Sequence, residues 1–424
     1  MMARSLADWL THAERVHPVG IDLGLHRVRL VAARLGVLPP AATNVVIAGT
    51  NGKGSTAVYL EGLLRAGGRT VGTTLSPHLN RFNERVRVNG HPVGDEVLCG
   101  VFAAIEDARC DTTLTYFEFG ILAALLTFRR ANVDATVLEV GLGGRLDAVN
   151  VVDADLTIIT SIGIDHVEYL GSDRETIGAE KAGILRRGVT CVFGEPSIPV
   201  SVVNAAKALN APLLRYGADF SARGSTAGWY FEGLCDGVGV SFDGLVRPSV
   251  AIRNAATALQ ALLALDGRSA VQEWVRDSAD VRLPGRFECF EYRGAQVIVD
   301  VAHNPHGAAF LGEQLRSTNR SGRTLAIAGF LQDKDAAGIV AALDSAVDEW
   351  VFVGTDGQRG QDAAATASKA GLVSRASVAH GALVDILDGV VLRLTPLDRL
   401  VVLGSFGLAQ RIRGILIREA PGRD

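Results

Sequence analysis

Ala48-Gly49-Thr50-Asn51-Gly52-Lys53-Gly54-Ser55 stands between a β-branched run and a helical pattern, and the reading of that junction decides the fold. Thr43 to Ala48 reads as a buried strand. Thr56 to Arg65 sets Ala57, Leu60 and Leu64 at helical spacing, so the glycines fill the turn between strand and helix. Such a turn offers backbone amides and a helix N-terminus to an anion; Lys53 adds a full charge, and Ser55 can reach a magnesium ion. The general phosphate-loop pattern would have glycine where Ile47 stands and Ser or Thr directly after the lysine, where Gly54 intervenes. The ordinary alternative is a glycine-rich connection of any α/β domain, so the surrounding chain has to decide.

At 424 residues, 48% apolar and 21% charged, the chain is long enough for two or three domains with buried cores. The net charge is −4 and the basic residues are scattered, which leaves no concentrated positive face for nucleic acid. Met1 to Thr11 carries Asp8 and no continuous apolar core, and no later run reaches bilayer length, so no membrane partner and a cytoplasmic location are expected. Cys99, Cys110, Cys191, Cys235 and Cys289 share no metal-ligand spacing and read as reduced, mostly buried thiols.

Strand-like runs alternate with helical patterns at Thr43 to Ala48, Thr70 to Thr74, Val133 to Val140, Leu156 to Thr160 and Val189 to Phe193. That alternation predicts an α/β fold with a mainly parallel sheet. Between Pro212 and Pro248 the alternation gives way to Gly, Ser and aromatic residues, which predicts a small antiparallel patch. Asn254 to Leu265 reads as a helix, Pro284-Gly285 punctuates the chain, and Gln296 to Val301, Thr324 to Ala328, Trp350 to Val353 and Leu400 to Leu403 are strand-like. The expectation is a first domain over 1–283 and a smaller α/β domain over 284–424.

In open α/β sheets ligands gather at the carboxyl ends of strands, so polar residues just beyond a strand are the functional candidates. Ser76-Pro77-His78, Glu139 at the end of an apolar run, Asp165-His166, and Asp300 with His303 all occupy such places. Glu139 suits magnesium beside a nucleotide, with a salt bridge as its ordinary alternative. Lys181, within Gly178 to Ile184, reads by itself as a solvated helix lysine.

Together the segments resemble the folylpolyglutamate synthase and dihydrofolate synthase family, a branch of the Mur ligase superfamily. The carriers include Asp22-Leu23-Gly24-Leu25, Gly49 to Ser55, Ser76-Pro77-His78-Leu79, Leu114 to Glu118, Leu138 to Asn150, Asp165-His166, Glu180 to Ile184, Pro284 to Phe287 and Asp300 to Pro305. The resemblance implies a Mur-ligase-type ATP-binding domain with the folate or pteroate site, followed by a Rossmann-like glutamate ligase domain. It implies Thr50, Asn51, Gly52, Lys53, Gly54, Ser55, Asn254, Arg286 and Asp300 as ATP contacts. It implies Ser76, Glu139, His166 and a carbamylated Lys181 as magnesium ligands; a carbamate turns a repelling amine into an anionic oxygen donor. Asp22, Leu23, Gly24, Leu25, Thr115, Tyr116, Phe117, Glu118, Leu146, Asp147 and Ala148 are implied to meet the pteroate or folate. Val149 stands where relatives have threonine, Gly407 where related bacterial sequences tend to carry histidine, and the segment before Asn254 lacks their His-Gln pair.

The implied activity is ATP-dependent amide formation: L-glutamate is joined to dihydropteroate, and further γ-linked glutamates to reduced folates, through an acyl phosphate. Lys53, Lys181, Arg286 and His303 are the expected catalytic residues and a monomer the expected state. The alternatives are another Mur-type amide ligase with a different acid, such as a cell-wall precursor, and a non-catalytic nucleotide-binding module.

Overall fold

A computed structural model of the protein describes residues 4–225, 228–267, 271–318, 321–371 and 376–419. The chain divides into two compact units, Met1–Val281 and Arg282–Asp424.

The first unit is organised by the run quoted above. Val45, Val46 and Ile47 have almost no exposed surface, and burying each such side chain contributes about 1.5–3 kcal/mol. The strands in chain order are β1 (Thr43–Ala48), β2 (Val71–Thr74), β3 (Val86–Val88), β4 (His91–Pro92), β5 (Ala135–Glu139), β6 (Leu156–Ile159), β7 (Cys191–Phe193) and β8 (Leu213–Arg215). They form one sheet in the order β4-β3-β2-β5-β1-β6-β7-β8. From β2 to β8 every pairing is parallel, and β3 and β4 are added antiparallel at one edge. This is the mainly parallel sheet that the sequence predicts. Helix Lys53–Ala66 is buried from Gly54 to Leu64 and packs against helix Ile252–Asp266, whose Asn254 to Leu263 are also buried.

The predicted antiparallel patch is a three-stranded sheet of β9 (Ser221–Ser225), β10 (Gly228–Cys235) and β11 (Val238–Leu245), in the order β11-β10-β9. Its Trp229 and Phe231 are fully buried.

In the second unit β12 (Glu288–Tyr292), β13 (Ala295–Val299), β14 (Thr324–Ala328), β15 (Glu349–Phe352), β16 (Ala376–Val378) and β17 (Arg399–Leu403) pair in the order β12-β13-β17-β14-β15-β16. Only the β12 pairing is antiparallel. Ala363–Ala370 is a helix, capped by the Asp362 carboxylate on the Ala365 amide at 2.7 Å.

The cysteines need a correction. All five are free, but Cys110 and Cys289 are exposed, Cys99 and Cys235 are partly buried, and Cys191 alone is buried. A thiol is small enough to be tolerated at a surface, so spacing says nothing of its depth. Among the described residues no helix is long and apolar enough to cross a membrane.

Candidate active site

β2, β5, β1 and β6 are consecutive and parallel in the large sheet, so their carboxyl ends share one edge. Ser76 follows β2, Glu139 closes β5, the Gly49–Gly52 turn follows β1, and Asp165 and His166 follow β6. Ile47, two residues before the turn, is in register with Glu139.

The turn is fastened by the chain beyond β6. Thr50 N–H donates to the Ser161 carbonyl at 2.9 Å and Asn51 N–H to Ser161 Oγ at 3.0 Å. The Asn51 carbonyl in turn accepts from the hydroxyls of Thr160 and Ser161 at 2.7 and 3.0 Å. Thr50 Oγ1 exchanges hydrogen bonds with the Gly163 backbone at 3.1 and 3.0 Å. Thr160 and Ser161 escape sequence reasoning, because a Thr-Ser pair after a strand has no signature of its own.

Gly52 takes φ +85°, a conformation strained for any residue with a Cβ. A Cβ there would also meet Asn254 Oδ1 at 2.7 Å, so the Asn254 side chain lies directly against the turn. The first helical hydrogen bond runs from Thr56 N–H to Gly52 O at 2.9 Å, so the amides of Lys53, Gly54 and Ser55 precede it at the positive end of the helix. Lys53 Nζ donates to the carbonyls of Gly49 and Thr50 at 2.9 and 3.3 Å.

Ser76 and Glu139 are brought together: the Ser76 amide donates to Glu139 Oε2 at 2.7 Å. The Glu139 amide donates to Thr74 Oγ1 at 3.0 Å, and the residue is 4% exposed. His166, in a left-handed conformation, heads the short helix Val167–Leu170; it is exposed, and its amide donates to Asp165 Oδ1 at 2.9 Å.

Lys181 is not a surface lysine. It is 3% exposed. Burial, with the nearby Lys53 charge, pulls its pKa down from 10.5 to about 7, against the opposing pull of Asp165 and Asp147. The backbone of its helix is packed by residues from afar in sequence. The loop Gly141–Arg145 packs on its helix, with a Cβ at Gly144 coming within 3.0 Å of the Lys181 carbonyl, and Arg145 is ion-paired to Glu180 at 2.8 Å. Asp147 holds that loop from below, its carboxylate accepting the amides of Gly141, Leu142 and Val149 at 2.9–3.0 Å. Full burial pushes its pKa up from 3.8 to about 6, against those three bonds and Lys53.

The expected pteroate residues divide into two groups. Thr115 and Glu118 are the reciprocal cap of helix Tyr116–Ala131: the Thr115 amide donates to Glu118 Oε2 at 2.7 Å and the Glu118 amide to Thr115 Oγ1 at 3.2 Å. Arg27 pairs with Glu118 Oε1 at 3.0 Å and Asp22 Oδ2 at 2.6 Å, and His17 reaches the same Asp22 oxygen at 3.1 Å. Leu23, Gly24 and Leu25 follow, half-buried. Tyr116, Phe117 and Leu146 are also half-buried, whereas Ala148 is buried. The Phe117 ring lies over Gly141, where a Cβ would come within 2.5 Å of it; this close approach requires the glycine.

In the second unit Asp300 is 8% exposed and accepts the amides of Phe287 and Ala302, both at 2.8 Å. Burial raises its pKa, and Arg286 opposes the rise. The Phe406 ring lies 5.0 Å from the Arg286 guanidinium and 5.9 Å from the His303 ring. His303 Nδ1 lies 2.8 Å from the Val301 carbonyl, which fixes its proton on Nδ1. Asn304 caps helix Pro305–Ser317 through the Gly307 amide at 2.7 Å.

Among the described residues no three His, Cys, Asp or Glu side chains cluster as a metal site. Ser76 and Glu139, which the structure brings together, carry oxygen donors of the kind that suits a hard cation.

Comparison with known proteins gives consistent matches. The chain matches the Mur ligase middle domain over residues 47–219 and the Mur ligase glutamate ligase domain over residues 285–406. It is 47% identical over 362 residues to the dihydrofolate synthase/folylpolyglutamate synthase of Escherichia coli (strain K12), covering 85% of this chain and 84% of that protein. A structure of E. coli FolC in complex with DHPP and ADP superposes with a TM-score of 0.91 at 41% identity, covering 99% of each chain. A bifunctional folylpolyglutamate synthase/dihydrofolate synthase with Mn, AMPPNP and L-glutamate bound gives 0.87 at 41% identity, covering 97% of this chain and 98% of that one.

Proposed function

We propose that this chain, which belongs to the dihydrofolate synthase/folylpolyglutamate synthase family of Mur ligases, joins L-glutamate to dihydropteroate and adds further γ-linked glutamates to folates at the expense of ATP. One observation carries the reading: the phosphate-loop turn, Ser76, Glu139 and Asp165-His166 leave the same edge of four neighbouring parallel strands. The comparisons favour this acid over a cell-wall precursor, since the matched relatives are folate ligases.

A carboxylate resists amines because its carbon is electron-rich and hydroxide is a poor leaving group. Attack by a carboxylate oxygen on the γ-phosphorus releases ADP and leaves an acyl phosphate; the glutamate nitrogen then attacks the acyl carbon, and inorganic phosphate departs with that carboxylate oxygen. The amides of Lys53 to Ser55 and the Lys53 ammonium face the charge that develops on the transferred phosphoryl group. Moving Lys53 from the Gly49 carbonyl to a phosphate exchanges a neutral acceptor for a charged one, which is the stronger bond.

Ser76, Glu139, His166 and a carbamylated Lys181 would hold magnesium, which would neutralise phosphate charge when bound. Support for the carbamate is the burial of Lys181 and its lowered pKa: near pH 7 much of the amine is neutral and able to add to carbon dioxide. Thr50, Asn51, Gly52 and Asn254 line the nucleotide's turn, and Arg286 and Asp300 are assigned to ATP from the second unit. His303 is assigned to orienting glutamate. Tyr116, Phe117, Leu146 and the Asp22–Leu25 loop are assigned to the pterin-bearing acid, with Thr115, Glu118 and Asp147 fixing those segments and Ala148 packing beneath. A monomer in the cytoplasm, acting on reduced folates, completes the reading.

The test is ATP consumption by purified protein with magnesium. Turnover that requires both dihydropteroate and glutamate, with oxygen-18 passing from the carboxylate into inorganic phosphate, is expected. Turnover indifferent to dihydropteroate would overturn the reading.

A further inference from the structure

We infer that Arg85 is the anchor for the carboxylate that becomes phosphorylated, an inference that rests on the folate-ligase reading above. Arg85 ends the single turn Phe82–Arg85 that leads into β3. Its guanidinium is fixed from one side only. Nε donates to Nδ1 of His78 at 2.8 Å, and the rings of Phe82 and Tyr116 lie 5.8 and 5.6 Å from its central carbon, within cation–π range. As the acceptor of that bond, His78 Nδ1 carries no proton. The carboxylates of Glu139 and Glu84 act on Arg85 through space, but neither is hydrogen-bonded to it, and both oxygens of Glu84 accept the backbone amides of Leu79, Asn80 and Arg81 at 2.7–2.9 Å.

Among the described residues neither terminal nitrogen of Arg85 makes a hydrogen bond or ion pair. Arg85 nevertheless lines a small cavity together with Ser76, Phe117 and Glu139. A guanidinium held by Nε presents its two terminal N–H groups as a parallel fork, and that fork matches the two oxygens of a carboxylate. A half-buried cation with unused donors gains from a bound anion, because each desolvated N–H then recovers a partner. The Phe117 ring in the cavity wall, with the Tyr116 ring beside the guanidinium, suits an aryl carboxylate such as the benzoate end of dihydropteroate. Ser76 and Glu139, two of the assigned magnesium ligands, line the same cavity, so the anchored oxygen would wait beside the phosphoryl group.

The experiment compares equilibrium binding of dihydropteroate and of its neutral carboxamide to the full chain, as wild type, Arg85→Gln and Arg85→Lys, with ATP affinity recorded for each. Wild type is expected to prefer the acid; Arg85→Gln should weaken acid binding roughly 10- to 100-fold while leaving carboxamide and ATP binding within about twofold, and Arg85→Lys should fall between. Equal weakening of acid and carboxamide, or no effect on either, would overturn the inference in favour of a packing role. If Arg85→Gln does not fold, as lost ATP binding would show, Arg85→Lys decides, with a loss confined to the acid expected. Wild type that neither binds dihydropteroate nor consumes ATP with it would bring down the functional reading itself, and this inference with it.

Discussion

Lys53 Nζ donates to the Gly49 carbonyl 2.9 Å away, four residues back along its own turn. The cation is thus held on its own turn, and in the proposed function it would swing from there to a phosphate. Lys53→Ala should lower kcat by about 10²–10³, the usual effect of removing one donor to a developing charge. Stability should change by only about 1 kcal/mol, because the lost carbonyl bonds and the lost attraction to Asp147 are offset by relief of the repulsion with Lys181. Steady-state rates alongside thermal unfolding check both parts.

Lys181→Ala should abolish measurable turnover, and short carboxylates such as acetate should restore part of it by replacing the carbamate oxygens. Rescue by acetate but not by ethylammonium is the informative contrast. An inactive variant restored by ethylammonium but not by acetate would show that the lysine acts unmodified, and a fully active variant would show that it is not needed.

The burial of Lys181 also sets a pH dependence in buffer free of carbon dioxide. Its folded pKa lies near 7 and its unfolded one near 10.5. Between those values the unfolded chain holds a proton that the native state lacks, so wild-type stability rises with pH across that window. Lys181→Met removes the linkage. Its stability advantage over wild type should be largest below pH 7 and shrink toward pH 10, as denaturant titrations at stepped pH would reveal.

Glu118→Ala should destabilise the first unit by about 2–4 kcal/mol, since the side chain is 4% exposed in the ion pair and both caps its helix and compensates Arg27. Loss of the Arg27 anchor should also raise the KM for dihydropteroate through the Asp22 loop. A KM unchanged in a folded variant would separate that loop from the acid's site.

Gly141→Ala should push the Phe117 ring aside, because the new methyl would come within 2.5 Å of it. We expect a rise of about fivefold to tenfold in the KM for dihydropteroate with the KM for ATP unchanged. Measuring the two constants on one preparation distinguishes a shifted ring from a damaged nucleotide site.

What the sequence discloses depends on how local the cause is. β1 and the turn after it are legible because a continuous β-branched run and a glycine cluster act within ten residues. Thr115 and Glu118 form a Thr-x-x-Glu cap that is equally local, yet reading them only as substrate contacts misses their structural task. The depth of Lys181 is not legible from Gly178 to Gly183, since its helix backbone is packed by the Gly141 to Arg145 loop and its charge balance comes from Lys53, Asp147 and Asp165. The contacts of Phe406 with Arg286 and His303, and the Thr160-Ser161 fastening, likewise depend on residues far apart in sequence. The paired strands β3 and β4 are too short to show a period.

That fastening has a thermodynamic corollary. Because the hydroxyls of Thr160 and Ser161 already hold the Asn51 carbonyl, the segment enters the encounter with nucleotide in a settled shape. Little conformational entropy is then surrendered on association, and the affinity for the triphosphate reflects new contacts rather than the taming of a floppy strap.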